Sequence, residues 1–159
     1  MRIGTGYDSH RFDAGRPLIL GGIQIPAHPG LAGYSDGDAI AHAIIDAVLG
    51  AAALGNVGSH FPPNEEEWKG ADSMQLLTQA IDILSNSGYV VGNIDVTVIC
   101  ESPRIAPHAD AMVESISRAM SISMDRVSIK GKSNEGMGWI GSGEGLAVQA
   151  VAMIEPAQG

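Results

Sequence analysis

The chain has 159 residues, 45% of them hydrophobic and 17% charged, with a formal net charge of −9 at pH 7. These values predict one folded domain over residues 1–159, exclude a disordered chain, and argue against a nucleic-acid-binding surface, which needs a basic face. No apolar run is long enough to span a membrane, Met1-Arg2-Ile3-Gly4 enters a strand without a signal-peptide profile, and the single Cys100 fits a reducing cytoplasm.

Residues 2–7 and 18–25 read as strands, the second interrupted by Gly21-Gly22. Residues 37–54 read as a helix, with Ser35, Asp36 and Asp38 as cap candidates and Gly55 as the stop. Residues 57–70 form a loop holding Pro62-Pro63 and the run Glu65-Glu66-Glu67, a solvated surface by default. Ser73 caps a second helix that runs to about residue 87 before Gly88. A strand over 90–100, a loop from Pro103, a helix over 109–120 and strands over 127–131 and 146–154 complete the chain. This alternation predicts an α/β or α+β sandwich, with helices packed on a sheet. The last strand is apolar on both faces, Leu146, Val148, Ala150, Ala152 and Ile154 on one and Ala147, Val151 and Met153 on the other. Both faces should therefore be covered, one by helices and the other most simply by further copies of the chain.

Asp8-Ser9-His10 sits where the first strand runs out. Residues two apart on a strand point to the same side, so Asp8 and His10 can close on one ion. His42, in the first turns of the next helix, is a third candidate, and a carboxylate with two imidazoles suits zinc or a similar divalent ion. Asp38 and Asp46, one helical turn to either side of His42, are candidates to orient its ring. Each feature has a plainer reading, as turn residues or as a helix histidine paired to an acid. Residues 129–145, which are crowded with glycine, offer backbone N–H groups, Lys132 and Ser133 to phosphate oxygens, or are simply a long hairpin. Gly131-Lys132-Ser133 is not a Walker motif, since Arg126 stands where a glycine is required. Gly4-Thr5-Gly6 is not a dinucleotide fingerprint, since Ser9 takes the third glycine's place.

Asp8-x-His10, Ser35-Asp36-Gly37-Asp38 with His42, Phe61-Pro62, residues 69–73, Gly92-Asn93-Ile94-Asp95, Pro103-Arg104-Ile105-x-Pro107-His108, residues 130–135 and Gly143-Glu144-Gly145 occur in this order. Together they resemble the 2-C-methyl-D-erythritol 2,4-cyclodiphosphate synthases over essentially the whole chain. The resemblance implies a four-stranded mixed sheet with helices on one face, and a homotrimer whose sheets pack around a threefold axis with active sites at the subunit junctions. It implies intramolecular phosphoryl transfer. The 2-phosphate of 4-diphosphocytidyl-2-C-methyl-D-erythritol 2-phosphate attacks the β-phosphorus and expels CMP. Such a reaction needs two repelling phosphates held in line and their charge neutralised.

By the same resemblance, zinc sits on Asp8, His10 and His42, and a second divalent ion, Mg²⁺ or Mn²⁺, sits near Glu135 with the diphosphate. Catalytic support falls to Ser133 and Tyr34. The methylerythritol phosphate end is assigned to Asp8, Ser9, His10, Tyr34, Ser35, Asn56, Val57, Gly58, Phe61, Pro62, Pro63, Asn64 and Glu65. The cytidine end is assigned to Cys100, Glu101, Ser102, Pro103, Arg104, Ile105 and Ala106 with Gly131, Lys132 and Ser133 of a neighbouring subunit, and Asn134 and Glu135 are counted with the substrate-binding residues. Trp139 and Ser142 are counted with the substrate-binding residues, Ser142 near the threefold cavity. The implied location is cytoplasmic, or plastid stroma after removal of a transit peptide. The chain departs from the family's usual residues at Tyr34 (histidine), Asn56 and Pro63 (aspartate) and Ser142 (arginine). Tyr34 can donate a hydrogen bond but carries no charge near neutral pH. Two other readings fit the residues. One is a zinc-dependent phosphohydrolase with Asp38 or Asp46 as base, the other a non-catalytic oligomeric binder of cytidine nucleotides. Product identity separates them.

Overall fold

The computed structural model describes residues 1–157. Strand β1 (Arg2–Leu20) is far longer than the sequence suggests, because it continues through Asp8–His10. At its end Gly21 and Gly22 take φ of +58° and +75°, the two positive values that a tight hairpin turn demands. The chain then doubles back as β2 (Ile23–Leu31), pairing Leu20 with Ile23 and Leu18 with Ile25. The segment expected as one interrupted strand is therefore two, and the sheet has five strands where four were expected.

Its order is β2-β1-β5-β3-β4, completed by β3 (Tyr89–Ile99), β4 (Val127–Lys132) and β5 (Gly145–Pro156). Only β3 and β4 run parallel, and helix α4 (Ala109–Met120) lies in the connection between them. Helices α1 (Ala39–Ala51) and α3 (Ser73–Asn86) are capped by Asp38 and Asp72, whose side chains accept from backbone N–H groups of the first turn. Ser73, expected as the second cap, is the first helical residue instead. The expected loop over 57–70 holds a short helix α2 (Val57–His60), nucleated by reciprocal Asn56–Ser59 capping, and a helical turn at Glu66–Trp68.

Helix α1 lies directly on β1, and two glycines make that possible. A Cβ at Gly4 would stand 2.1 Å from the Ala47 carbonyl oxygen, and one at Gly6 would stand 1.9 Å from that of Ala43. This close approach brings His42 over Asp8. The core behind it is formed by Leu18, Ile40, Ile44, Leu77, Val96, Met112 and Ala150, all fully buried. On the opposite face of the sheet Ile3, Tyr7 and Val151 remain 67%, 59% and 37% exposed. The chain therefore covers one face of its sheet and leaves the other open, where these apolar side chains stand among Thr5, Gln149 and the Asp95–Lys130 pair.

Candidate metal and substrate site

Asp8 and His10 leave the same side of β1, and α1 delivers His42 between its buried alanines and isoleucines. One ligand atom from each of the three lies within 4.8 Å of the others. Asp8 Oδ2 is 2.8 Å from His10 Nε2 and 3.1 Å from His42 Nδ1. Burial pushes the Asp8 carboxyl up, but hydrogen bonds and charge from His10 and His42 outweigh it and hold the group below its ordinary value. Burial pushes His10 down, but its bond to Asp8 outweighs that and raises it.

The outer ring nitrogens show what the inner ones offer. His10 Nδ1 lies 2.5 Å from the Ala32 carbonyl, which only accepts, so Nδ1 carries a hydrogen and Nε2 is the nitrogen turned to Asp8. His42 Nε2 lies 3.1 Å from both Ser35 Oγ and Ser73 Oγ. Ser73 Oγ in turn donates to Asp36 Oδ1, 2.5 Å away. This network holds the His42 ring with Nδ1 turned inward to Asp8. Two imidazole nitrogens and a carboxylate converge on one point, a donor set that fits a divalent cation taking the place of the shared protons.

The two acids expected to orient His42 do other work. Asp38 is the N-cap, outside the helix, and turns back on its end. It accepts from Gly21 and Gly22 N–H at 2.9 and 2.7 Å and from Ile40 and Ala41 N–H, clamping the hairpin turn to α1. Asp46 accepts from Val57 N–H at 2.7 Å and docks α2 against α1. The partners actually touching the His42 ring, Ser35 and Ser73, come from other segments. Helical spacing around His42 carries no signal for them.

A cavity of about 200 Å³ opens on His10 and His42 and is walled by Tyr34, Ser35, Val57, Gly58, Phe61 and Pro63. Trp68 and Leu76 also line it, and neither was legible as a site residue. Trp68 packs edge-on against Phe61, with ring centroids 5.2 Å apart. The Tyr34 hydroxyl donates to the Glu65 carbonyl at 3.1 Å, fastening the 61–68 loop. The Asn56 side chain is used as the α2 cap, accepting from Ser59 N–H at 3.0 Å. Pro62, Asn64 and Glu65 do not line the cavity.

A second cavity, of about 310 Å³, lies at the C-terminal ends of the parallel strands β3 and β4. Their register places Ile99 beside Lys132, so Cys100, Glu101, Pro103, Arg104, Ile105 and Ala106 face Gly131, Lys132 and Ser133. Of the residues expected here, Ser102 does not line the cavity. Burial pushes the Cys100 thiol up to about 11, which leaves it un-ionised and inert at neutral pH. Glu101 Oε1 accepts from Asn134 and Gly136 N–H at 2.9 and 3.2 Å and pins the loop that carries Ser133 and Glu135. Ser133 donates to Glu135 Oε1 at 2.9 Å. Trp139 lines a further cavity with Ser9, His10, Arg11 and Glu144, on another side of His10. Ser142 bonds Trp139 and Glu144 locally. The first two cavities share no residue.

Fold and centre together define an α/β protein with a candidate divalent-metal site. The model of the YgbB family matches residues 1–155, and the chain belongs to that family. It is similar to the 2-C-methyl-D-erythritol 2,4-cyclodiphosphate synthase of Salinibacter ruber, 50% identical over 157 residues that cover 99% of this chain and 100% of the relative. Among solved structures, the bifunctional IspDF from Campylobacter jejuni matches with a TM-score of 0.94 at 38% identity, covering 98% of this chain and 42% of that one. The IspF of Plasmodium falciparum in complex with CDP matches with a TM-score of 0.86 at 32% identity, covering 99% of this chain and 97% of that one.

Proposed function

We propose that the chain converts 4-diphosphocytidyl-2-C-methyl-D-erythritol 2-phosphate into 2-C-methyl-D-erythritol 2,4-cyclodiphosphate and CMP. The observation that carries this reading is the pairing of an Asp8/His10/His42 cation centre with a separate strand-end cavity, in a chain similar throughout to synthases of that name. An oxygen of the 2-phosphate forms a bond to the β-phosphorus, the bond from that phosphorus to the bridging oxygen breaks, and CMP leaves with the bridging oxygen. The nucleophile is already an anion, so no strong base is required.

Asp8, His10 and His42 would hold zinc or a similar ion, and Glu135 a Mg²⁺ or Mn²⁺; when bound, these ions neutralise phosphate charge. The chain's own task is positioning. Ser35 and the apolar walls Val57, Phe61 and Pro63 enclose the methylerythritol end beside the triad. The strand-end cavity takes the cytidine, whose edge backbone groups of residues 100–106 can read. Lys132 and Ser133 meet the diphosphate between them. A phosphohydrolase would need a free base beside the ion, and Asp38 and Asp46 are both engaged by backbone N–H groups.

Because the cavities share no residue, we also propose that a site is completed between copies. The open face with Ile3, Tyr7 and Val151 packs against its counterparts in a homotrimer. The deciding experiment incubates the protein with this substrate and identifies products by ³¹P NMR. Cyclic diphosphate with CMP is expected; inorganic phosphate, or bound nucleotide without turnover, overturns the reading. His42→Ala should lose about one equivalent of zinc and most activity while keeping its fold, because an open catalytic site seldom supports a whole domain.

A further inference from the structure

The backbone carbonyls of Gly33, Tyr34 and Ser35 are all taken, but not by the same partner. The Tyr34 carbonyl accepts from the Gly70 N–H at 2.9 Å, and the Asp36 N–H that follows donates to the Ala71 carbonyl at 3.1 Å. The two flanking carbonyls both accept from one side chain, Arg16. Its Nη1 donates to the Gly33 carbonyl at 2.5 Å and its Nη2 to the Ser35 carbonyl. A planar guanidinium with two donors in fixed geometry thus grips the segment on either side of Tyr34.

The fold aims Arg16 at this task. Asp13 pairs with Gly30 and Pro17 with Pro29, so Ala14, Gly15 and Arg16 bulge out of β1 with no counterpart in β2. Asp13 Oδ1 closes the bulge by accepting from the Gly15 N–H at 2.9 Å. Gly30 lets β2 pass close behind it, since a Cβ there would stand 2.6 Å from the Arg16 carbonyl oxygen. The Arg16 side chain is half-buried and does not line the metal-side cavity. The segment it grips supplies two walls of that cavity, Tyr34 and Ser35, and through the Tyr34 hydroxyl it also fastens the 61–68 loop.

We propose that Arg16 is a positioning residue for the substrate, whose two bonds set Tyr34 and Ser35 in place before the methylerythritol phosphate end arrives. The inference rests on the reading of that cavity given under the proposed function. Lysine at position 16 keeps the charge but is a single point donor and cannot span both carbonyls as a fork does. Alanine removes both bonds.

The test uses full-length Arg16→Lys and Arg16→Ala, with two readouts. Hydrogen exchange by NMR compares the amides of Asp36 and Gly70, which report opening of the segment, with those of β5, which report the whole fold. Steady-state kinetics with the proposed substrate give KM and kcat separately. Arg16→Ala should speed exchange at Asp36 and Gly70 about 10- to 100-fold, the range for losing bonds to a charged donor, and leave β5 at the parent's rates. KM should rise by a similar factor while kcat stays within about twofold, because pre-set walls are lost and the reacting groups are not. Arg16→Lys should fall between the parent and Arg16→Ala in both readouts. Parent-like exchange at Asp36 and Gly70 in Arg16→Ala, or a fall in kcat with KM unchanged, overturns the inference. So does an Arg16→Lys protein equal to the parent, which would leave charge alone as the contribution of the residue. If the parent does not turn over this substrate, the proposed reaction fails, while the exchange comparison still decides whether Arg16 sets the segment. If Arg16→Ala does not fold, Arg16→Lys decides alone by the same two readouts.

Discussion

Tyr34 has one hydrogen to give, and it gives it to the Glu65 carbonyl rather than to open solvent. The residue therefore fastens the loop that closes the metal-side cavity. Losing one neutral hydrogen bond costs about 1 kcal/mol, so Tyr34→Phe should raise KM roughly fivefold with little change in kcat. Steady-state kinetics check this. A hundredfold fall in kcat with KM unchanged would instead place the hydroxyl on the reacting phosphates. A second prediction at this scale concerns pH. Asp8 is held below its ordinary value of 3.8, so its contribution to stability is present above 3.8 and fades as pH falls through its folded value. His10 is raised above 6.5, so its contribution is full below 6.5 and fades as pH rises through its folded value. The metal-free protein should thus be most stable between those limits and lose Tm on the alkaline side. His10→Asn should flatten that alkaline decline, and thermal melts across pH 5–9 read it directly. A decline of equal size in the variant would assign it to another group.

At the scale of elements, the α1–β1 contact decides whether a metal centre exists at all. Backbone lies against backbone at Gly4 and Gly6, with no room for a methyl group. Gly6→Ala must push α1 away from the strand, which costs about 1–3 kcal/mol of overpacking and draws His42 off Asp8. A lower urea midpoint together with weaker zinc uptake is the expected result. Zinc uptake equal to the parent's would mean that the helix does not set the triad. Most elements were legible from period and punctuation: α1, α3, α4 and β5 fall within a few residues of their expected limits. The β1–β2 hairpin was not, because Gly21-Gly22 in an apolar run reads as an interruption unless the partner strand is known. Helix α2 was missed because a four-residue helix depends on the Asn56–Ser59 cap more than on periodicity.

Across the whole molecule, one sheet face stays open and the two cavities stay separate. Leaving Ile3, Tyr7 and Val151 in water forgoes burial worth about 25 cal/mol per Å² of apolar surface, which copies of the chain would recover on packing together. Light scattering at micromolar concentration should therefore report about three chains. If each site joins the triad of one chain to the strand-end cavity of another, mixing two inactive variants rebuilds some sites. Asp8→Ala and Lys132→Ala proteins, unfolded and refolded together, should recover part of the parent rate. No recovery from a confirmed mixed oligomer would place each site within a single chain.

The amino-acid sequence by itself determined the helix-on-sheet class and the candidate cation ligands Asp8, His10 and His42. These follow from local rules: period two along β1, period 3.6 along α1, and glycine or proline at the breaks. Tertiary structure alone decided the fifth strand, the duties of Asp38 and Asp46, the entry of Trp68 and Leu76 into the site, and the Asp36–Ser73 pair behind His42. Asp38 meets Gly21 across 17 residues of chain, and Asp36 meets Ser73 across 37. Which donor reaches which acceptor at that range depends on how the segments pack, and no local period in the sequence records it.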